Sequence, residues 1–413
     1  MAEATETKPI PAPEPGTGHE KQTFLVGDEV YVRAIEPSDA KYGQSWTNSL
    51  RPRSTKWYEK WIKEELPKQK RAATYVILRK ADDVPVGAIR TWRWDPKTYM
   101  GTYVDPLYGE RGVRWKIEAL RMVVPWLVDE QHRPALSLGL EGDQQPVIDA
   151  LQELGAREVV RFREQLRTWG GRVDGVRMEY LNRAWVERLG DPAAIELPRS
   201  GTGQPRPVPA PVTIPGDPPA NAVRVGERVY LRPLTKDDAP LIARWSRQDT
   251  ETFWDAGRWI YTTPQLQHWT TDQQAADPVT HARFAVCLRE NDELIGSLGI
   301  AGIDYINGFA ESESEIHRPE YRGGGYGSEA KHLLFDYAFN TLKLHALQSI
   351  VIFPNTRSAA ALRKQGYQEA GRMHWAFSSF GKFENFVCFD LLASDWRAMP
   401  RAATTGAPEE DAA

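Results

Sequence analysis

The sequence predicts an α+β protein in which a mixed, largely antiparallel sheet is flanked by helices. Three observations in the second half of the chain support this. Residues 229–232 alternate apolar and polar side chains at the period of a strand. Asn307-Gly308, a tight-turn dipeptide, separates two further strand patterns and predicts a two-residue hairpin. The segment carrying Leu333, Leu334 and Tyr337 places apolar residues on one helical face.

The remaining elements follow from the same rules. Thr235 is a good N-cap residue and opens a helix that carries apolar side chains on one face. Turn residues at 291–292 separate two apolar strand segments, which predicts a hairpin. After the Asn307-Gly308 turn, the patterns predict in order a strand at 309–316, a glycine-rich loop at 322–327, a helix from 328, a strand at 347–353, a helix at 358–365, and two strands around 376 and 386–391.

Length and proline content predict two domains. A chain of 413 residues is too long for one ordinary domain, and nine of its thirty prolines fall between residues 191 and 220. Proline lacks a backbone N–H and disfavours helix and sheet, so this segment is predicted to be an extended linker. The resulting division is a disordered tail at 1–21, a domain at 22–190, the linker at 191–220, a domain at 221–400, and a disordered tail at 401–413.

The two predicted domains resemble each other in sequence. Residues 27–33 and 226–232 align at an offset of 199, and Asp39 and Trp46 then pair with Asp238 and Trp245. Further matches recur in the same order with small changes in loop length. An internal duplication explains this pattern.

Composition excludes several classes of protein. The chain has 52 basic and 56 acidic residues, a net charge of −4, which argues against a general nucleic-acid binder. No apolar run approaches the roughly 20 residues needed to span a bilayer. The two cysteines, Cys287 and Cys388, are too few for a disulfide scaffold or a cysteine-based metal centre. These features predict a cytoplasmic protein that uses no metal.

The glycine-rich loop Arg322-Gly-Gly-Gly-Tyr-Gly327 predicts an anion site. Backbone N–H groups at a helix N-terminus carry a partial positive charge, and glycines let a phosphate approach the main chain. No Gly-Lys-Ser/Thr follows, which excludes a P-loop, and no run of βαβ units surrounds the loop.

The segment 311–330, with Arg322-x-x-Gly325-x-Gly327 inside it, resembles the acyl-CoA pyrophosphate loop of the GNAT acetyltransferase superfamily. Downstream, Asn355-x-x-Ser358 and the Lys364-x-Gly-Tyr367 motif are similar to its ribosomal-protein-alanine acetyltransferase branch. The resemblance implies two tandem GNAT-like domains. It also implies that two central strands splay apart, that pantetheine pairs with the exposed strand backbone, and that acetyl-CoA or another acyl-CoA is the co-substrate.

The same resemblance assigns residues to the donor. The residues implied to bind it are Arg322, Gly323, Gly324, Gly325, Tyr326, Gly327, Ser328, Asn355 and Ser358. The first domain departs from the motif, because its alignment places Gly109 at the leading arginine, Glu110 in the loop, Arg114 at the last glycine and Gln144 at the asparagine. It is therefore predicted to be a degenerate copy that does not bind CoA in the usual way.

Three alternating carboxylates, Glu311, Glu313 and Glu315, are predicted to share one strand face with His317. Their mutual repulsion raises at least one pKa, which suits a general base and attracts a cationic amine. By the resemblance, Glu313 is the first candidate for the base and Glu315 the second. The position of the family's tyrosine acid holds Leu362, which leaves Ser358, Tyr326 or water to protonate the leaving thiolate.

By the resemblance, Trp254, Trp259 and Glu311 line an acceptor pocket, with Tyr261 and Trp269 nearby. The alternative for each aromatic residue is packing in the core or a lid. A separate basic stretch between Arg51 and Arg71 is either a solvated helix face or a docking surface for an acyl carrier protein or tRNA.

The predicted function is transfer of an acyl group from a CoA or pantetheine thioester to a primary amine, of a small molecule or a peptide, by direct attack. Two alternatives stay open. One is a carrier-protein- or tRNA-dependent acyltransferase of specialised metabolism, and the other is a non-catalytic acyl-CoA-binding scaffold.

Overall fold

The computed structural model describes most of the chain, in the ranges 20, 22, 24–47, 52–94, 96–168, 170–195, 204–210, 212, 214, 216–248, 261–353, 355–379 and 381–402. The described residues form two compact units. The first lies within Met1–Leu140, Gln144–Val159 and Arg177–Asp191, and the second within Glu141–Asp143, Val160–Val176 and Pro192–Ala413.

The elements of the first half alternate strands with helices, several of which continue into short 3-10 or π turns. In chain order they are β1 Val30–Ala34, α1 Gly43–Trp46, α2 Thr55–Lys60, β2 Ala72–Arg79, β3 Val84–Trp94, β4 Lys97–Val104, α3 Gly109–Pro125, β5 Ala135–Glu141, α4 Gln145–Glu153, β6 Arg157–Thr168, β7 Gly171–Leu181 and α5 Arg183–Leu189.

The second half follows the same plan. Its elements are β8 Arg224–Val225, β9 Val229–Pro233, α6 Ala239–Gln248, α7 Thr263–Ala275, β10 Ala282–Leu288, β11 Leu294–Asp304, β12 Phe309–Ile316, α8 Tyr326–Asp336, β13 Ala346–Ile352, α9 Thr356–Lys364, β14 Gln368–Ser379, β15 Lys382–Leu392 and α10 Ala393–Ala398. Within the described residues, no helix is long and apolar enough to cross a membrane.

The strand order is the same in both halves. Strands of the first half neighbour one another in the order β1-β2-β3-β4-β5-β7-β6, and those of the second in the order β9-β10-β11-β12-β13-β15-β14. The pair β12–β13 is parallel, whereas β9–β10, β10–β11, β11–β12, β13–β15 and β14–β15 are antiparallel. The predicted α+β fold with a largely antiparallel sheet is confirmed.

The hairpin at Asn307-Gly308 differs in detail from the prediction. Four residues, 305–308, connect β11 to β12 instead of two. The Asp304 carboxylate accounts for the longer turn, because it accepts hydrogen bonds from the backbone N–H groups of Ile306 and Asn307. An aspartate that bonds to backbone two residues ahead forms an Asx turn of its own.

Part of the proline-rich segment docks on the second unit. The backbone N–H groups of Arg206 and Val208 donate to the carbonyl oxygens of Lys364 and Pro400, and Ala402 donates back to Val208. Val208 is 4% exposed and belongs to the hydrophobic core of this unit. Residues 206–208 of the predicted linker are therefore anchored to the second unit.

One side of the second sheet is covered by α8. Leu334, Phe335 and Phe339 of this helix and its π-turn continuation are fully buried, and they pack in one core with Ile295 and Ala310. Burying an aromatic or leucine side chain stabilises a fold by roughly 1.5–3 kcal/mol, so this packing fixes α8 against β12.

Corresponding tertiary contacts recur in the two units. Each has an arginine in its first long strand that pairs with an aspartate six residues later: Arg33 with Asp39, and Arg232 with Asp238. Each also has a glutamate, Glu118 or Glu329, that accepts hydrogen bonds from the backbone just before β1 or β9. The sequence similarity between the halves thus extends to side-chain contacts.

We expect Asp238→Ala to destabilise the second unit by about 2–4 kcal/mol, because the change leaves the Arg232 guanidinium and the Thr235 N–H without their acceptor. Hydrogen bonds from Arg232 and Thr235 outweigh burial and lower the pKa of Asp238. This contribution is present at neutral pH and is lost as pH falls below the ordinary aspartate range. Urea titrations at pH 7 and pH 3.5 test this, since the difference between the parent and the variant must shrink at low pH.

Candidate active site

Two helix N-termini meet at one edge of the second sheet. Because β12 and β13 are parallel, their carboxyl ends lie at the same edge, where β12 leads through a loop to α8 and β13 leads to α9. The two strands pair over only three residues, from Phe309↔Ala346 to Glu311↔Gln348. Beyond Glu311 the strands are no longer paired with each other. This split agrees with the splayed strands that the sequence resemblance implies.

The glycine-rich loop presents backbone N–H groups at this edge. The first intrahelical hydrogen bond of α8 runs from Glu329 N to Gly325 O at 3.0 Å, so the N–H groups of residues 326–328 precede it. Among the described residues, no side chain caps this end, and the N-cap residue Gly325 has φ of +90°. Such a terminus favours an anion with several oxygen atoms, such as a diphosphate.

An arginine outside the loop holds it in place. Arg228 Nη1 donates to the carbonyl of Gly324 at 2.9 Å, and its Nε donates to Glu329 at 2.9 Å. The guanidinium also lies over the Tyr326 ring, 4.4 Å from the centroid. Glu329 is 5% exposed and accepts the backbone N–H groups of Arg228 and Val229 as well. This network preorganises the loop without occupying its N–H groups.

Hydrogen bonds within the protein also hold Arg322, Asn355 and Ser358, which were predicted to bind the donor. Arg322 turns back toward β12, where its Nε donates to the carbonyl of Ile316 at 2.8 Å. Asn355 is the N-cap of α9 and its Oδ1 accepts the N–H of Ser358 at 3.0 Å. These side chains shape the two helix N-termini on either side of the split.

The predicted acidic face exists, and its three carboxylates differ. Glu311 is half-buried, and burial together with the Glu313 charge raises its pKa to about 7 although Lys331 opposes the shift. Glu313 is 39% exposed and forms an ion pair with Arg283 at 2.7 Å. Glu315 is 53% exposed and lies 3.5 Å from His317 Nδ1. A carboxyl that titrates near neutrality matches the requirement for a general base, and Glu311 is the carboxyl that meets it.

His317 packs into the fold next to the acidic strand. Its Nε2 lies 2.9 Å from Ser297 Oγ, and its ring stacks on Trp245 at 5.9 Å. Beside it, a cleft of about 550 Å³ contains none of the residues predicted for the site. The cleft is lined by Arg232, Asp238, Leu241, Arg244, Trp245, Gln248, Asp292, Glu293, Leu294 and Arg318.

The predicted acceptor aromatics are only partly described. Trp254 and Trp259 lie outside the described residues. Trp269 of α7 is 41% exposed and contacts Tyr261 edge to face at 5.6 Å. Leu362, at the position of the family's tyrosine acid, is a core residue at 4% exposure. Nearby, the buried Tyr367 hydroxyl lies 2.5 Å from Ser312 Oγ.

In the first unit, helix takes the place of the loop. The π turns Trp126–Glu130 and Tyr337–Thr341 continue α3 and α8 at positions 211 residues apart, which aligns the two helices. In this alignment α3 begins six residues earlier than α8. The six residues are Gly109–Arg114, the segment that the sequence alignment equates with Arg322–Gly327. From Glu110 onward their backbone is helical and cannot form the open loop.

The same alignment corrects one sequence correspondence. Lys116, rather than the predicted Arg114, stands at the position of Gly327, and Gln144 stands at that of Asn355. Lys116 Nζ donates to Gln144 Oε1 at 2.6 Å, which joins the two helix N-termini that flank the split in the second unit. Glu29 replaces the loop-holding Arg228 and accepts from Trp115 Nε1. Side chains therefore fill this region of the first unit.

Two site residues were not found from the sequence. Arg228 lies in a segment whose pattern predicts only a strand. The signal that could have found it is the alignment of the two halves, in which Glu29 occupies the position of Arg228. Lys331 lies within an apolar helix and is 1% exposed. The sequence signal that could have identified Lys331 is its place in the helical period, among residues that this period assigns to the core.

Comparison with known proteins gives a family match within the second unit. Residues 228–368 match the model of the acetyltransferase (GNAT) domain. The second unit thus contains a GNAT acetyltransferase domain, and the protein is an enzyme of the amine-acyltransferase class.

Individual relatives match 41–42% of the chain. The uncharacterised N-acetyltransferase p20 of Bacillus licheniformis is 28% identical over 181 residues, which is 41% of this chain and 96% of that protein. YdaF of Bacillus subtilis, provisionally described as a ribosomal N-acetyltransferase, is 24% identical over 42% of this chain and 96% of its own. The solved spermidine N-acetyltransferase of Vibrio cholerae in complex with CoA and spermine is 22% identical, with a TM-score of 0.38 over 41% of this chain and 98% of that chain.

Proposed function

We propose that the second unit transfers an acyl group from acyl-CoA to a primary amine by direct attack on the thioester. The observation that carries this proposal is the pair of helix N-termini flanking the split between β12 and β13. The N–H groups of Gly323–Ser328 bind the pyrophosphate, and the unpaired edge of β12 beyond Glu311 offers backbone groups to the pantetheine arm. The carbonyl of the thioester then lies beside the acidic face.

The proposed general base is Glu311, because the structure raises its pKa to about 7. A carboxylate with a pKa near the working pH is both ionised and basic enough to take a proton from an amine. Glu313, the first candidate from sequence, is held by Arg283 and serves in this proposal to orient and attract the acceptor. Glu315, more exposed, adds negative charge at the entrance.

The proposed acceptor is a small cationic primary amine or an amino-terminal peptide amine. Three carboxylates on one strand face give the site a negative potential, which favours cations. The relationship to YdaF and the Asn355-x-x-Ser358 motif favour the ribosomal-protein-alanine acetyltransferase branch for the ancestry of this unit.

We further propose that the first unit is a degenerate copy of the second, which has lost the donor site. The helix at Gly109–Arg114 and the Lys116–Gln144 hydrogen bond support this. We expect calorimetry to give one CoA site per chain, with a stoichiometry that Lys116→Ala does not change. A stoichiometry of two would contradict the assignment.

Turnover with a panel of primary amines tests the function as a whole. The measurement is release of free CoA from acetyl-CoA, together with mass spectrometry of the acylated amine. Binding of CoA without turnover of any amine would favour the scaffold alternative. Turnover of a carrier-bound acyl group but not of acyl-CoA would favour a carrier-protein donor.

A further inference from the structure

The second unit contains a buried amine that the mechanism above does not use. Lys331 lies in the second turn of α8 and is 1% exposed. Its Nζ donates a hydrogen bond to Ser314 Oγ at 3.4 Å. Among the described residues this is its single hydrogen bond, and no carboxylate lies within ion-pair distance. Ser314 belongs to the part of β12 that is not paired with β13, where the pantetheine arm is proposed to lie.

The surroundings of Lys331 favour its neutral form. Burial lowers its pKa to about 7, and the charges of Glu313 and Glu311 oppose this shift only in part. The other titratable groups on the surrounding elements are Tyr367, which is bonded to Ser312, and Glu329 and His332 of α8. Glu329 is bound to Arg228, and burial lowers the pKa of His332 to about 4. Lys331 therefore exchanges a proton near neutral pH, as Glu311 does on the opposite face of β12.

The first unit provides a comparison. With the two helices aligned by their π turns, Leu120 stands at the position of Lys331 and is 2% exposed. The buried amine is therefore found in the half that has the glycine-rich loop, whereas the half whose loop is helical has a hydrocarbon side chain there. Burying an amine costs free energy, whereas leucine at this position adds to the core. A role in folding alone would not favour lysine.

We propose that Lys331 and Ser314 form a proton relay that protonates the leaving thiolate, in place of the tyrosine that Leu362 replaces. This rests on the proposed acyl transfer. As the tetrahedral intermediate collapses, the carbon–sulfur bond breaks and its electron pair goes to sulfur. Sulfur takes the Ser314 hydroxyl proton, and the Ser314 oxygen takes a proton from the Lys331 ammonium. The products are the amide and the thiol, and Lys331 is left as a neutral amine that is reprotonated from solvent.

The geometry separates this relay from the base. Successive side chains of a strand point to opposite faces, so Ser314 lies on the α8 side of β12 and Glu311 and Glu313 lie on the other side. The amine would lose its proton on one side of the thioester, and the sulfur would gain one on the opposite side. The two steps thus use different residues and do not compete for one group.

The test compares two acyl donors with the full-length protein. With acetyl-CoA, we expect Lys331→Leu and Ser314→Ala each to lower kcat at least 100-fold, the range of general acid catalysis. With S-(4-nitrophenyl) thioacetate, whose aryl thiolate leaves without a proton, we expect the loss of kcat to shrink to within about threefold. The falling limb of kcat above about pH 7 should disappear in Lys331→Leu. The double variant should lose no more than either single one, because the two residues act in series.

We expect the Tm of Lys331→Leu to equal or exceed that of the parent, because the first unit has the buried Leu120 at this position. A loss of activity in this variant would then not result from unfolding. An equal loss with both donors would overturn the relay and assign Lys331 a positioning role. Full activity of Ser314→Ala would overturn the path through the hydroxyl. A parent protein that turns over neither donor with any amine would instead contradict the proposed function itself.

Discussion

Replacing Gly325 with valine is expected to weaken CoA binding at least 100-fold, a loss of about 2.7 kcal/mol of binding free energy. Gly325 has φ of +90°, a conformation that a β-branched residue adopts only at a cost of about 1–3 kcal/mol. Its new Cβ would also lie 3.2 Å from Arg228 Nη2, the guanidinium that holds the loop. Both effects displace the N–H groups at the start of α8. Calorimetry with CoA measures the change directly.

A matched glycine separates loss of the site from loss of the fold. Gly302 has φ of +60°, and a Cβ added there would meet no atom of the described residues within 4 Å. It lies in β11, away from the loop. Gly302→Val should therefore cost similar backbone strain and leave the Kd for CoA within about twofold of the parent. If both variants lose CoA binding equally, strain within the unit explains the loss and the loop is not the anion site.

Replacing Glu311 with glutamine is expected to lower kcat by about 100-fold to 10,000-fold, the usual contribution of a general base. In the parent, kcat should rise with pH up to about 7, because the base acts only when it is ionised. In Glu311→Gln this rising limb should vanish. Steady-state kinetics between pH 5.5 and pH 8.5 with saturating acetyl-CoA measure both effects.

The same variant should be more stable than the parent above pH 7. The folded protein raises the pKa of Glu311, so folding disfavours its ionised form and the cost grows as pH rises from the ordinary glutamate range to about 7. A neutral glutamine avoids this cost, by about 1–3 kcal/mol. Glu315→Gln is the control, since Glu315 is more than half exposed and should change both kcat and stability little. An active Glu311→Gln would assign the base to another residue, with Glu313 next to be tested.

Local sequence patterns were sufficient to predict the main strands and helices of the second unit and its glycine-rich loop. Alternation predicted β12 and its acidic face, and the glycines predicted an open helix N-terminus after it. These patterns depend on neighbours within a few residues, where backbone sterics and side-chain direction decide the outcome. The sequence also showed that Leu362 occupies the position of the family's tyrosine acid, and in the structure Leu362 is a core residue.

The sequence alignment of the two halves was wrong at the glycine-rich loop, where the first unit has a helix instead. The sequence alignment counted from Pro106 and Pro319 and equated Arg114 with Gly327. The first unit has two more residues between Pro106 and its π turn than the second unit has between Pro319 and its own π turn. Lys116 therefore aligns with Gly327. The count along the chain cannot show that Gly109–Arg114 are helical, because that depends on packing of the whole helix.

The sequence by itself determined the fold class, the internal similarity, the glycine-rich loop and the three alternating carboxylates, since each is a local pattern of residue types. Only the tertiary structure decided which carboxylate is buried enough to titrate near neutrality and that a lysine 17 positions further on lies behind Ser314. The physical reason is that burial and electrostatic coupling arise from segments distant in sequence that pack together. Those interactions set the pKa values, and with them the chemistry that the site can perform.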